Sequence, residues 1–377
     1  MLASSPSVLL VDLSLRFGGA DVRVMQMARA LHASGRHYAV ATLAGSPVQQ
    51  RLAAEGLAVR PLPFRRSDPR LGAALFALIR REGFAVVDAH NPQSQYWGLS
   101  AARLAGVGAC VATVHSHYRD TNSGFFRPRL HEGALRLNSR LGCRFLTVSA
   151  TVRSYVLSLG VSDERVTLSY NGIEFDDRPV QPAGLRAELG WGEDTRVAAI
   201  VARLDPVKGH SFLLRALYRL RDRQPGLRLL VIGDGPEDAA LRAEAQRLAL
   251  GDMVHFTGFR ADVPALLAEA DLFCLPSKSE GLPYTALEAA LRGLPLVMSD
   301  IPGLAEFFIH DATAWLVPPG NPEALAEALD RSLRHPEAAR ALGETARALV
   351  RDRFDTRRMV AETLSLYDDE AARGHRL

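Results

Sequence analysis

The chain has 377 residues and 47% hydrophobic content, which makes it too long for one ordinary core and apolar enough for two domains. No run reaches the roughly 20 uncharged apolar residues that a membrane-spanning helix needs, and residues 1–13 lack the basic start of an export signal, so we expect a cytoplasmic protein. Net charge is only +3, but residues 1–180 carry 21 arginines against 13 acidic residues. This asymmetry indicates either an anionic partner or an arginine-rich solvated surface.

Short apolar runs alternate with helix-period segments along the whole chain, which is typical of parallel sheets wound with helices. The predicted strands of the front half are Val8 to Asp12, Ala39 to Leu43, Val59 to Leu62, Val86 to Ala89, Cys110 to Val114, Phe145 to Val148 and Val166 to Tyr170. Those of the back half are Val197 to Val201, Arg228 to Ile232, Val254 to Thr257, Leu272 to Leu275, Leu296 to Met298 and Trp315 to Val317.

The polar stretch from Glu174 to Pro182 has no apolar periodicity and separates the two halves. We therefore predict an α/β protein with two doubly wound, Rossmann-like domains, residues 1–178 and 179–377, and a last helix able to pack back on the first domain. Ligands of such sheets bind at the carboxyl ends of the strands, so one central cleft between facing domains is expected.

Several front-half residues lie at predicted strand ends. Gly18 and Gly19 follow the first strand and precede a helix from Asp21, so the backbone can approach a ligand closely, although a paired glycine turn is a weak signal. His90 and His115 both end apolar strands at the same sheet edge. One such histidine could be a satisfied core residue, but two favour a cleft role for at least one.

A loop of the back half, after its first strand, carries two cations. Arg203 and Lys208 could neutralise a diphosphate as it becomes a leaving group, and two solvated loop cations are the alternative. Lys208 is one of only two lysines in the chain, which favours a need for a compact point charge there. His210 is interpreted as a helix-start or surface histidine.

Further along, Phe259 follows a glycine at a strand end and could contact a nucleobase, although core packing of its ring is at least as good an interpretation. The turn from Gly233 to Pro236 serves strand-to-helix geometry. No serine elbow, P-loop, zinc-ligand spacing or aspartate triplet is visible. We therefore predict diphosphate chemistry without a metal site.

The segment after the strand Leu272 to Leu275 carries most of the chemical information. Pro283 suits the first turn of a helix, so Gly281 and Leu282 can offer backbone N–H groups to a pyrophosphate. A carboxylate just before the helix, Glu280, could accept hydrogen bonds from sugar hydroxyls. Inside the helix, Glu288 would lie within reach of a ribose. A capping acid and a surface helix residue are the alternatives for these two glutamates.

Taken in order, these motifs resemble those of the family 4 retaining glycosyltransferases of the GT-B fold. The resemblance is strong over about residues 195–320 and weaker but collinear in the front half. The motifs that carry it are Arg203 to Gly209, Gly233 to Pro236, Phe256 to Gly258 and the pair Glu280 and Glu288. Several motifs in order on suitable elements are specific, whereas any one alone is weak.

The resemblance implies a retaining, metal-independent transferase that moves a sugar from a nucleotide-sugar co-substrate, without a cofactor, onto a glycan or lipid-linked acceptor. It also implies a role in cell-surface polysaccharide or glycolipid synthesis, peripheral contact with the anionic inner face of the cell membrane, and no nucleic-acid partner. The family's positions correspond here to Arg203 and Lys208 at the donor diphosphate, Glu280 at the transferred sugar, Glu288 at the ribose, Gly19 near the diphosphate and His115 beside the reacting centre.

Two other functions remain as alternatives. A GT-B nucleotide-sugar epimerase would isomerise free donor instead of transferring the sugar. A non-catalytic GT-B subunit would bind a partner or a glycan, but it would be expected to lack Glu280, Arg203 or Lys208, and all three are present. A nicotinamide-dependent dehydrogenase is disfavoured, because the first strand leads into Phe17-Gly18-Gly19 instead of a GxGxxG turn.

Overall fold

The structure, a computed structural model, describes residues 5–118, 126–176, 178–192 and 194–374. The chain divides into two compact units, Met1–Gly172 with Thr356–Leu377, and Ile173–Asp355. The sequence analysis placed the boundary after residue 178, within the polar stretch. The chain changes unit earlier because Ile173 is buried, pairs with Asp355 in an isolated bridge and donates its N–H to the Phe354 carbonyl at 2.7 Å.

The first unit is built on a seven-stranded parallel sheet with the strand order β3-β2-β1-β4-β5-β6-β7. Its strands are β1 (Val8–Asp12), β2 (Tyr38–Leu43), β3 (Val59–Leu62), β4 (Val86–Ala89), β5 (Ala109–Val114), β6 (Arg144–Thr147) and β7 (Val166–Leu168). The α-helices that precede the second unit are α1 (Gly19–Ala33), α2 (Pro47–Ala54), α3 (Arg70–Glu82), α4 (Pro92–Ser94), α5 (Ser100–Leu104), α6 (Phe126–Arg140) and α7 (Ala150–Ser158). The central strands β1, β2, β4 and β5 are buried along their whole length, as expected for a parallel sheet covered on both faces.

The second unit has a six-stranded parallel sheet with the order β10-β9-β8-β11-β12-β13. Its strands are β8 (Arg196–Val201), β9 (Leu227–Ile232), β10 (Val254–Gly258), β11 (Leu272–Leu275), β12 (Leu296–Ser299) and β13 (Trp315–Val317). Its helices are α8 (Leu185–Glu188), α9 (His210–Leu220), α10 (Asp238–Arg247), α11 (Val263–Leu267), α12 (Tyr284–Leu291), α13 (Pro302–Ala305), α14 (Pro322–Arg334) and α15 (Pro336–Arg353). Both units are doubly wound and Rossmann-like, as the sequence predicts.

The last helix, α16 (Thr356–Gly374), belongs to the first unit although it is the end of the chain. Buried polar contacts attach it there. Arg23 of α1 donates to Thr363 Oγ1 at 3.0 Å and to the Ser169 carbonyl at 3.0 Å. One of the front-half arginines is therefore structural and not part of a charged surface. No helix in the described ranges has the length and apolar character to cross a membrane.

Candidate functional site

The strongest candidate site lies at the carboxyl ends of β8 and β11, which are neighbours in the second sheet. The loop after β8 carries Lys208 and the loop after β11 carries Glu280, so strand order brings the two loops together. The Lys208 ammonium donates to Glu280 Oε1 at 2.6 Å and to Oε2 at 2.8 Å. Ser277 donates its hydroxyl to the same Oε1 at 2.6 Å. The carboxylate is thus held by three hydrogen bonds while Glu280 is only 9% exposed.

Close backbone contacts fix the position of these two loops. A Cβ on Gly209, whose φ is 73°, would lie 2.0 Å from the Pro276 carbonyl oxygen, so only glycine allows the two loops to approach this closely. A Cβ on Gly303 would lie 2.0 Å from the Glu280 carbonyl oxygen. Glycine is required at both positions because the loop carrying Glu280 is packed backbone to backbone, against the Lys208 loop at Gly209 and against α13 at Gly303.

The same explanation applies to the turn after β9. A Cβ on Gly233, whose φ is 140°, would lie 2.1 Å from the Ala202 carbonyl oxygen, and one on Gly235 would lie 2.3 Å from that of Leu204. The Leu204 N–H also donates to the Asp234 carbonyl at 2.8 Å. The sequence analysis assigned this turn to strand-to-helix geometry. In the structure it also supports the loop that carries the two candidate cations.

Arg203 and His210 lie at the two ends of that loop. Arg203 forms an ion pair with Asp205, a residue of the same loop. His210 is the first residue of α9, as predicted, but it is buried and not at the surface. Burial and the nearby Lys208 charge lower the pKa of His210 to about 4, so its imidazole is neutral at physiological pH. Within the described part of the chain, neither of its ring nitrogens has a hydrogen-bond partner.

The helix that follows Glu280 begins one residue later than predicted. Pro283 is extended and precedes α12, while Gly281 and Leu282 are buried just before it. Glu288 is the fifth residue of this helix and is partly buried. Burial raises its pKa to about 7, and the charge of Arg292 opposes the shift only in part. A carboxylate in that environment gains from a partner such as a ribose hydroxyl.

Phe259 lies apart from the Lys208–Glu280 pair along the sheet. It follows β10, which is separated from β8 by β9, so it is about 10 Å away along the strand-to-strand direction. Its side chain is 50% exposed, which rules out the core-packing interpretation. An exposed ring at a strand end presents apolar area to which a planar group can bind, as the nucleobase hypothesis requires.

In the first unit, Gly19 is an exposed first residue of α1, and Gly18 is the residue that caps this helix. The turn is fixed by Asp21, whose carboxyl group accepts from the Gly18 N–H at 2.7 Å. Burial, together with the neighbouring charge of Asp12, raises the pKa of Asp21 well above its usual value. A buried carboxyl pair therefore lies directly behind the glycine turn, and the sequence analysis did not identify it.

The two histidines at strand ends are in contact. His90 follows β4 and His115 follows the neighbouring β5, and His90 Nδ1 lies 3.2 Å from His115 Nε2. Burial lowers the pKa of His115 well below its usual value, and the nearby His90 and Arg23 lower it further. His115 is therefore a neutral imidazole at physiological pH. Among the described residues, its Nδ1 atom has no hydrogen-bond partner.

The described ranges contain no group of three His, Cys, Asp or Glu side chains arranged to hold a metal ion. Residues that the sequence analysis missed are the partners of the candidate side chains, above all Ser277 and Asp205. Both lie inside the motif loops, so a search for polar residues within three positions of Glu280 and Lys208 would have found them.

Comparisons with known proteins identify the family and the fold. The sequence model described as Glycosyltransferase Family 4 matches residues 17–177, and the one described as Glycosyl transferases group 1 matches residues 184–349. The crystal structure of Anabaena Alr3699/HepE in complex with UDP and glucose superposes with a TM-score of 0.83 at 24% identity, covering 96% of this chain and 99% of that chain. This likeness identifies the GT-B fold as the class of architecture.

Two curated relatives place the chain within that class. The D-inositol 3-phosphate glycosyltransferase of Segniliparus rotundus is 36% identical over 174 residues, which cover 44% of this chain and 38% of that protein. The MMP alpha-(1->4)-mannosyltransferase of Mycolicibacterium hassiacum is 32% identical over 323 residues, 80% of this chain and 75% of that protein. The chain belongs to the family 4 glycosyltransferases, as its motifs predict.

Proposed function

We propose that the protein transfers a sugar from a nucleoside diphosphate-sugar to a glycan or lipid-linked acceptor, with retention of anomeric configuration and without a metal ion. The observation that carries the proposal is the Lys208–Glu280 pair, with donor–acceptor distances of 2.6 and 2.8 Å, at the carboxyl edge of the second sheet. A cation and a carboxylate in contact can each exchange their mutual bond for a bond to a bound donor.

A bound donor would separate Lys208 from Glu280. A diphosphate competes for the Lys208 ammonium, while the sugar hydroxyls donate hydrogen bonds to Glu280 in place of Lys208. As the bond from the anomeric carbon to the diphosphate breaks, negative charge builds on the leaving oxygen, and the cations Lys208 and Arg203 stabilise it. The acceptor oxygen bonds to the same face of the sugar, and its proton goes to the leaving phosphate. This route needs no cofactor and no carboxylate nucleophile.

The names of similar proteins support this chemistry without fixing the substrate. UDP and glucose in the HepE crystal structure support a nucleoside diphosphate-sugar as donor for this fold. The relatives described as acting on inositol phosphate and as transferring mannose support a glycan or glycolipid product. We propose Phe259 as the side chain that stacks on the donor base and Glu288 as the ribose contact.

The test is a donor screen. The protein is incubated with UDP-, GDP- and ADP-sugars, with and without a membrane lipid extract, and release of nucleoside diphosphate is measured. Transfer should give release that depends on the extract, and the glycosylated product should retain the anomeric configuration of the donor by NMR. An epimerase would change the free sugar nucleotide without releasing diphosphate. No release and no isomerisation with any donor would leave only the binding-subunit hypothesis.

We further propose that helix α6 contacts an anionic membrane surface. Leu130, Leu137 and Leu141 are 66%, 45% and 41% exposed along one side of α6 and its end. Arg136 and Arg140 are exposed beside that apolar stripe, so apolar and basic side chains share one face. The neighbouring aromatic and basic residues 125–128 lie outside the residues whose side chains the structure describes.

The membrane proposal is tested by co-sedimentation with phosphatidylserine-containing and neutral vesicles. Wild type should bind the anionic vesicles more strongly, and binding should weaken with salt because the Debye length is only about 8 Å at physiological ionic strength. Arg136→Glu with Arg140→Glu should abolish the preference. The matched control reverses two exposed arginines of α15, Arg340→Glu with Arg351→Glu. Equal loss in both double variants would show a general charge effect and contradict docking through α6.

A further inference from the structure

The first unit contains a buried polar chain that the proposed reaction does not use. Asp88, on β4, is fully buried and accepts hydrogen bonds from the Thr113 hydroxyl at 2.8 Å and from the Tyr367 hydroxyl of α16 at 2.6 Å. His90 Nε2 lies 3.3 Å from Asp88 Oδ2, and the other nitrogen of His90 faces His115 at 3.2 Å. His90 thus connects the buried carboxylate of Asp88 to His115, the histidine at the candidate reacting centre.

The charge of Asp88 determines which nitrogen of His90 carries a proton. Burial would raise the pKa of Asp88, but the contact with His90, together with hydrogen bonds from the Tyr367 and Thr113 hydroxyls, holds that pKa below its usual value. Asp88 is therefore a carboxylate, which can only accept. The nitrogen of His90 that faces this carboxylate, Nε2, lies 3.3 Å from it without forming a hydrogen bond of good geometry. This nitrogen must carry a proton, because a lone pair there would be repelled by the carboxylate.

The tautomer of His115 then follows from that of His90. In a neutral His90 with its proton on Nε2, the Nδ1 atom is an acceptor, so the 3.2 Å contact requires a proton on His115 Nε2. The buried Arg23 supplies positive charge to the region around Asp88. The two charges lie near the same buried hydroxyl, since Asp88 raises the pKa of Tyr367 and Arg23 lowers it. A second cation on His90 would place an excess charge in the core. His115 Nδ1 is left with a lone pair.

We propose that Asp88 is a positioning residue: through His90 it holds the proton of His115 on Nε2, so that His115 Nδ1 accepts a hydrogen bond from a sugar or acceptor hydroxyl group. The inference rests on the proposed function, because it assumes that His115 meets the substrate. Nδ1 of His115 can serve as this acceptor, since it has no partner among the described residues. An aligned acceptor orients the hydroxyl without paying for its own reorientation during the reaction.

The first measurement needs no substrate. Nitrogen-15 NMR of histidine-labelled wild-type protein at pH 8 reports which ring nitrogen carries the proton, and the His115 signals are assigned by their loss in His115→Asn. We expect a protonated Nε2 and an unprotonated Nδ1. A protonated Nδ1 in the wild type would overturn the proposal, whatever the variants do.

The second measurement uses Asp88→Asn, which keeps the shape but replaces one acceptor oxygen with an NH₂ donor. His90 should then reverse, and His115 should carry its proton on Nδ1. Turnover should fall about 10- to 100-fold, the usual scale for loss of a supporting hydrogen bond, with KM for the donor changed less than about threefold. Tyr367→Phe is the matched control, because it removes one hydrogen bond from Asp88 but retains the carboxylate, so the His115 tautomer should stay as in wild type.

Each outcome decides the question. Reversal of the tautomer with loss of turnover supports the proposal, and an unchanged tautomer in Asp88→Asn overturns it. A reversed tautomer with wild-type turnover also overturns it, since Nδ1 would then have no part in the reaction. If the wild type transfers no sugar from any donor, the proposed function fails, while the NMR result still confirms or refutes the relay from Asp88 to His115.

Discussion

Replacing Glu288 with glutamine should stabilise the protein above neutral pH and weaken its binding of nucleotides. Burial raises the pKa of this carboxyl from its usual 4.5 to about 7. Each pKa unit corresponds to about 1.4 kcal/mol, so ionising Glu288 costs the folded state up to about 3.5 kcal/mol relative to the unfolded state. Because the folded pKa is raised, stability is complete below pH 4.5, falls as pH rises to about 7, and is constant above it.

Glutamine does not titrate, so Glu288→Gln should lose none of this stability. Its free energy of unfolding should exceed that of wild type by up to about 3.5 kcal/mol at pH 8 and by less than about 1 kcal/mol at pH 5. The measurement is urea unfolding at both pH values, followed by circular dichroism. Glu337→Gln, at an exposed position in the first turn of α15, is the control and should show no such difference between the two pH values.

The same variant tests the role of Glu288 in the site. A ribose hydroxyl would donate to the carboxylate, and a hydrogen bond to a charged group contributes about 1.5–3 kcal/mol, so affinity for the nucleoside diphosphate should fall about 10- to 100-fold by calorimetry at pH 8. If Glu288→Gln is no more stable than wild type at pH 8, ionisation of the buried Glu288 does not destabilise the folded protein. A gain without loss of nucleotide affinity would refute the ribose contact and make Glu288 a structural residue of α12.

Three further outcomes are expected. Lys208→Met and Glu280→Gln should each reduce turnover by about 10²-fold or more, and nucleoside diphosphate release at wild-type rates with unchanged melting would contradict the assigned site. Activity should survive excess EDTA, since Lys208 and Arg203 supply the counter-charge; loss restored by magnesium or manganese would show that a metal does this instead. Asp21→Asn should raise the melting temperature more at pH 8 than at pH 4, because burial and Asp12 raise the pKa of Asp21, and an equal shift at both pH values would contradict a buried carboxyl pair.

The strands could be predicted because parallel strands are buried on both faces and so appear as continuous apolar runs between turn residues. All thirteen predicted strands overlap strands of the structure, with ends that differ by at most two residues. β7 ends at Leu168 instead of Tyr170, and β10 extends to Gly258, because pairing with a neighbouring strand decides where a strand ends. The isolated bridge of Ile173, which sets the boundary between units, depends on Asp355 far along the chain and leaves no local signal.

The chemistry of the site was only partly predictable. Lys208 and Glu280 were both identified, but with separate roles, and their direct contact depends on β8 and β11 being neighbours, which the sequence does not specify. The exposure of Phe259 likewise depends on tertiary packing. Asp88 is bonded to Tyr367, 279 residues further along the chain, so no local motif could have joined them.

The motif residues explain why the sequence predicts a family more readily than a substrate. Lys208, Glu280 and Glu288 carry charges suited to diphosphate, sugar hydroxyl and ribose groups, which all nucleotide sugars share. The glycines of the motifs allow the close backbone contacts that place these charges, as Gly209 and Gly303 do with Cβ positions only 2.0 Å from neighbouring carbonyl oxygens. Discrimination between donors must therefore come from groups outside these motifs, because a residue that binds a feature common to every donor adds equally to the affinity for all of them.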